Sequence, residues 1–136
     1  MPKLFANNTK TSKIIYKELS YKVVGLLFEV YNQLGSDFQE KYYQRALSKL
    51  LQKETIPFDK EFPVDIVVEG EKIGKNFIDF VISGKIAVDL KKGNRFRMGD
   101  IKQMLTYLRS SKLKLGIIAY FGSKGVRVKR IINSKV

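Results

Sequence analysis

The chain has 136 residues with no cysteine and no histidine, and its 26 Lys plus Arg against 13 Asp plus Glu leave a formal charge of +13. That length suits one domain over residues 1–136, and 44% hydrophobic residues with nine Phe and seven Tyr suit a packed core rather than disorder. The two absences exclude disulfides, thiolate zinc sites and histidine bases, so a bound ion has to be hard and held by oxygen, as Mg²⁺ or Mn²⁺ are.

Residues 1–13 are polar and lysine-bearing without periodicity and read as a flexible basic arm. From Ser20, a suitable N-cap, apolar Val23, Val24, Leu27, Phe28 and Tyr31 recur at helical spacing until Gly35 offers a stop. A second helix runs through Tyr42, Ala46, Leu47 and Leu50 to about Lys53, before Pro57. Tyr31, Tyr42 and Phe28, at helical spacing, are expected in the core.

Alternation over 58–69 predicts a strand with Phe62, Val64, Ile66 and Val68 on one face, and Pro63 marks it as an edge. Strands over about 76–82 and 85–91 flank a hairpin at Ser83-Gly84. Ile101, Met104, Leu105 and Leu108 then give an amphipathic helix. Two more strands, 115–121 and 126–132, surround a turn at 122–125. The order α-α-β-β-β-α-β-β implies a mixed sheet with a helix crossing between the third and fourth strands.

The charge favours a polyanionic partner, nucleic acid before membrane surface, and no segment approaches the roughly 20 apolar residues of a spanning helix. A cytoplasmic protein with no membrane partner is expected.

In the third strand Asp89 and Lys91 share a face, because side chains alternate. A carboxylate and an ammonium so placed can hold a divalent ion and orient a water beside a phosphate. Asp79 lies between the same-face apolar residues Phe77 and Val81, a carboxylate that needs a partner. Asp79 and Asp89 are symmetric about Gly84. They meet on one face if the loop is Ser83-Gly84-Lys85, and they lie on opposite faces if the turn is Ser83-Gly84 alone. Gln103 and Tyr107 stand one turn apart on the helix that follows.

The segment Asp37-Phe38-Gln39-Glu40-Lys41-Tyr42-Tyr43 resembles the signature of the GxxExxY family, within the PD-(D/E)XK nuclease superfamily. The resemblance extends through Leu34-Gly35, Ile78-Asp79-Phe80, Val88-Asp89-Leu90-Lys91, Gln103 to Tyr107, Leu113-Lys114-Leu115-Gly116 and Phe121-Gly122. It implies a restriction-endonuclease-like α/β core, a mixed central sheet flanked by helices. It also adds Glu40 to the Asp79, Asp89 and Lys91 cluster, with Gln103 and Tyr107 as further catalytic residues. Asp79, Asp89, Glu40 and the Leu90 carbonyl would then hold Mg²⁺ or Mn²⁺, and Lys92, Arg95, Arg97 and Lys102 would track a nucleic-acid backbone. Two positions depart from the family pattern: Asp37 stands for the leading glycine, and Asp89 for the usual glutamate.

The implied function is metal-dependent hydrolysis of phosphodiester bonds, with DNA as the expected substrate and a homodimer expected by analogy. Two other readings remain open, a binding module of this fold without turnover and a basic assembly or ribosome-associated protein with structural carboxylates.

Overall fold

A computed structural model describes residues 14–135, so the expected arm over 1–13 lies outside the described residues. Helix α1 (Lys17–Leu34) buries Ser20, Val23, Leu27 and Val30 along one stripe. It begins a turn earlier than its apolar pattern announces. Tyr16, at φ 51, precedes it, and the Ser20 N–H already donates to the Tyr16 carbonyl at 2.7 Å. Ser20 is therefore a buried interior residue and not the N-cap. Gly35, at φ 71, ends the helix, donating its N–H to Tyr31 at 2.7 Å.

Helix α2 (Glu40–Lys53) buries Tyr43, Leu47 and Leu51. It ends with Thr55 at φ 59 and the Ile56 N–H on the Leu51 carbonyl, ahead of Pro57. Tyr43 ties the helix entry down: its hydroxyl donates to the Gly35 carbonyl at 2.7 Å, and its ring stacks on Phe121 with centres 4.2 Å apart. Asp37 in this entry sits at φ 76, a conformation glycine adopts freely and aspartate tolerates better than most residues. Phe28 and Tyr42, expected in the core, are exposed instead. Helical spacing names a face, but each lies one position past a buried residue (Leu27 and, on the other side, Tyr43) and so falls off the stripe.

Strands β1 (Phe58–Val68), β2 (Glu71–Ile82), β3 (Ile86–Lys92), β4 (Leu115–Gly122) and β5 (Gly125–Ile132) form one sheet in that order. Neighbours are antiparallel except β3 and β4, which are parallel across helix α3 (Met98–Ser111). The mixed sheet, the element order and the edge position of β1 are as the sequence implies. β2 starts five residues earlier than expected, pairing out to Val68 opposite Glu71. Ile66, Val67, Val68 and Ile73 are exposed there, so no buried face marks that end of the hairpin.

Two apolar cores lie on opposite sides of the sheet. Helices α1 and α2 pack on Val88, Leu90, Ile117, Ala119 and Phe121, while α3 packs on Ala87, Ile118, Tyr120 and Ile131. One irregularity matters for the site. Phe80 and Ile82 join the first core but Ile78 and Val64 join the second, although all four are even-numbered. Simple alternation would put Ile78 with Phe80. The change falls at Glu61 and Asp79, where Glu61 has φ 50 and the β1/β2 register skips one pair between Lys60 opposite Phe80 and Phe62 opposite Ile78. β2 thus turns over at Asp79.

Helix α3 sits close on β4 because Gly116 has no side chain. A Cβ there would stand 2.6 Å from Met104 Sδ and 3.3 Å from a Leu108 methyl. Both neighbours are fully buried, so neither moves cheaply. Gly116→Ala is expected to cost about 1–3 kcal/mol. An unchanged denaturant midpoint would contradict this packing.

Candidate active site

The β2/β3 hairpin takes the odd-numbered loop. Ile82 pairs with Ile86, leaving Ser83, Gly84 and Lys85 between them. Ser83 (φ 55) and Gly84 (φ 64) are both left-handed, and the Lys85 N–H closes the turn on the Ile82 carbonyl at 2.9 Å. Asp79 and Asp89 consequently stand across from one another.

Backbone pairing stops at Phe80 opposite Val88, one residue before the two aspartates. Their side chains replace it. The Asp79 N–H donates to Asp89 Oδ1 at 2.9 Å, and the Leu90 N–H donates to Asp79 Oδ2 at 2.8 Å. Two strands that separate would otherwise leave buried donors without partners. Each carboxylate keeps one oxygen outside these two bonds.

Asp89 is 5% exposed and Asp79 is half-buried. Burial, then the charge of Asp89, pushes Asp79 up to about 6, against the Leu90 N–H and the Lys91 ammonium, which pull it down. Burial also raises Asp89, with the Asp79 N–H and Lys91 opposing. In two facing carboxylates the proton belongs to the pair more than to either member. Lys91, half-buried on the same strand face, thus acts by charge on both, without an ion pair to either among the described residues.

Glu40, in the first turn of α2, comes to the end of β3, where its carboxylate accepts the Lys92 N–H at 3.3 Å. Its charge also raises both aspartates. Tyr107 is buried beside the pair. Burial, then the Asp89 and Asp79 charges, raises its phenol, while the Asn76 side chain lowers it, so the hydroxyl stays a donor at neutral pH. Gln103 is half-buried one turn away, in a groove it shares with Asn76 and Tyr107.

Of the expected backbone-tracking residues, Lys92, Arg95 and Lys102 are exposed. Arg97 is exposed but engaged, donating to the Lys92 carbonyl at 3.1 Å and to Asp100 at 3.4 Å. Phe77, expected buried beside Asp79, is 52% exposed, because β2 turns over at that point. Sequence reasoning missed Asn76 and the brace that fixes the start of α3: the Tyr120 hydroxyl donates to Asp100 at 2.6 Å and accepts the Arg97 N–H at 3.3 Å. Asp100 in a first helical turn was a visible signal; its partner twenty residues on was not.

The residues present fit a hard divalent cation. Two carboxylates face one another in partial burial with an oxygen each to give, in a chain without nitrogen or sulfur ligands of the zinc kind. Among the described residues no third carboxylate closes the group into a ready cage, since Glu40 is turned to the Lys92 N–H.

A comparison with curated protein sequences finds no match. Among solved structures the chain is similar to that of SSO0001, with a TM-score of 0.54 and 20% identity over 87% of this chain. It spans 58% of that protein's length. It is also similar to the alkaline exonuclease LHK-Exo of Laribacter hongkongensis, with a TM-score of 0.52 and 10% identity over 85% of this chain and 70% of that one. At such identities the likeness is one of fold. The sequence itself matches the profile of the PD-(D/E)XK nuclease superfamily over residues 17–131, which takes in α1, all three helices' packing on the sheet and every residue of the site, and the chain belongs to that superfamily.

Proposed function

We propose that the protein is a divalent-metal-dependent nuclease that hydrolyses phosphodiester bonds, with DNA as its substrate, and that it is a GxxExxY-type member of its superfamily. The observation that carries this is the meeting of Asp79 and Asp89 where β2 leaves β3, with the Lys91 charge acting on both. The left-handed Asp37 supports the finer assignment, since it occupies the position of the signature's glycine in a glycine-like conformation.

Asp79 and Asp89 would hold Mg²⁺ or Mn²⁺, with the Leu90 carbonyl and Glu40 as further oxygen ligands. A divalent ion bound there supplies charge neutralisation for the phosphate and acidifies water. Lys91 orients the attacking water and stabilises the charge growing on the phosphate. Tyr107, kept protonated, would donate a hydrogen bond into the site, and Gln103 would offer its amide beside it. Lys92, Arg95 and Lys102, all exposed, would meet phosphates of the same strand, whereas Arg97 first holds the 92–100 loop.

Purified protein incubated with labelled single-stranded, duplex and branched DNA, and with the matching RNA, tests the proposal. Cleavage in Mg²⁺ or Mn²⁺ that EDTA abolishes is the expected result. No cleavage of any substrate in either ion would leave a binding module of the same fold. Sedimentation of the same sample reads whether the chain pairs, as expected by analogy.

A further inference from the structure

Acidic and basic residues are unevenly divided across the sheet. Asp59, Glu61, Asp65, Glu69 and Glu71 lie on the β1/β2 hairpin, mixed with Lys60, Lys72 and Lys75. No Asp or Glu occurs in residues 101–136, which include α3 beyond its first turn, β4 and β5. The loop over residues 91–97 likewise carries Lys91, Lys92, Arg95 and Arg97 with no acid. One edge of the sheet repels a polyanion weakly or not at all, and the other attracts it.

The register points the attraction at the site. Lys91 lies opposite Tyr120, and Tyr120 opposite Arg127, so the three form a row across β3, β4 and β5. Asp89, Ile118 and Lys129 form the next row. With strands about 4.8 Å apart, Arg127 and Lys129 stand about 10 Å from the catalytic strand on the same face. That distance spans about three nucleotides at the 3.4 Å rise of a B-form strand.

Both cations are exposed and flank the Phe96 ring at 5.0 and 5.7 Å. Arg127 is also pre-positioned, since its Nη1 donates to the Asn94 carbonyl at 2.9 Å, while Asn94 Oδ1 accepts the Ser123 N–H at 2.8 Å. A guanidinium has five donors, so this bond leaves others for a phosphate. Exposed Lys124 sits on the turn beside it, and Asn94, Ser123, Lys124 and Arg127 share one pocket.

From these positions we infer that a nucleic-acid strand leaves the Asp79, Asp89 and Lys91 site over the 93–97 loop, which covers the buried Tyr120 of β4, and reaches β5, with its phosphates held by Lys124, Arg127 and Lys129. The inference rests on the nuclease reading for its starting point, but its test needs no turnover.

Binding of a fluorescein-labelled 30-mer, single-stranded and duplex, is measured by anisotropy in EDTA over a range of salt. Wild type is compared with the Lys124→Gln/Arg127→Gln/Lys129→Gln variant and with Lys60→Gln/Lys72→Gln/Lys75→Gln on the opposite edge. The β5 variant should bind about tenfold more weakly or worse and lose about 2–3 from its salt slope, and the β1/β2 variant should change less than about threefold. Unfolding midpoints and an Arg127→Lys variant, which keeps the charge, separate loss of cations from loss of fold. Equal weakening in both variants, or none in the first, would overturn the inference. So would a polyglutamate peptide binding as tightly as the oligonucleotide, which would make the surface one for acidic polypeptide. If cleavage is absent but β5-dependent binding is found, the nuclease reading fails and the strand path stands. Cleavage without β5-dependent binding has the opposite meaning.

Discussion

Asp89→Ala and Lys91→Ala are each expected to lower phosphodiester cleavage by about 10²–10³-fold or more, because under the proposed function the first loses a ligand of the ion and the second an ammonium aimed at charge that develops at the phosphate. The two should differ in kind. Asp89 is 5% exposed and accepts the Asp79 N–H, so its loss removes an ion ligand and also leaves a backbone donor without its partner. Lys91 has no such structural bond among the described residues, so Lys91→Ala should keep divalent-ion affinity and lose turnover. Cleavage by purified variants with matched unfolding midpoints, together with Mn²⁺ titration, reads both. Wild-type rates in both variants would remove Asp89 and Lys91 from the chemistry.

Asp79→Asn is expected to abolish cleavage to a similar extent and, without metal, to stabilise the fold by about 1–3 kcal/mol at neutral pH. The sign follows from linkage. Asp79 is pushed from 3.8 to about 6 in the folded chain, so between these values the folded state binds more protons than the unfolded one. Stability of the metal-free protein should therefore fall as pH rises from about 4 to about 6 and stay low above that. Asparagine keeps an oxygen for the Leu90 N–H while removing the charge that Asp89 opposes. The variant should lose the acid-side gain, and Mg²⁺ should stabilise wild type but not the variant. Unfolding midpoints from pH 4 to 8, in EDTA and in Mg²⁺, test this. A wild-type profile that rises from pH 4 to 6 in EDTA would contradict the strained carboxylate pair.

How much of this was legible beforehand depended on whether the physics was local. Helix α3 was, because Met104 and Leu108 repeat at helical spacing and both are buried. The edge position of β1 was readable from Pro63, and the mixed sheet from a helix lying between two strands. At the hairpin the residues allowed two geometries, and the choice lay in Lys85, the extra residue that lets Ile82 face Ile86. The turnover of β2 could not be read at all. It coincides with a left-handed Glu61 on the neighbouring strand, a residue type that carries no signal for that conformation. For the same reason Phe77, which alternation puts inside, lies outside. Asp79, Asp89 and Lys91 are candidates that strand alternation and the spacing about Gly84 single out, whereas Glu40 enters only through the likeness of a motif, because it meets Lys92 from 52 residues away in the sequence. The Tyr120 to Asp100 brace and the Arg127 row depend on register between strands and left no local mark.

Under the proposed function Asp79 and Asp89 jointly hold a divalent ion for phosphodiester hydrolysis. Anomalous diffraction at the manganese edge from crystals soaked in Mn²⁺ tests it most directly. A peak bridging Asp79 and Asp89 oxygens, lost in Asp79→Asn, is the predicted result. A protein that cleaves nucleic acid in Mn²⁺ while its crystals hold the ion elsewhere, with nothing between these two side chains, would contradict it.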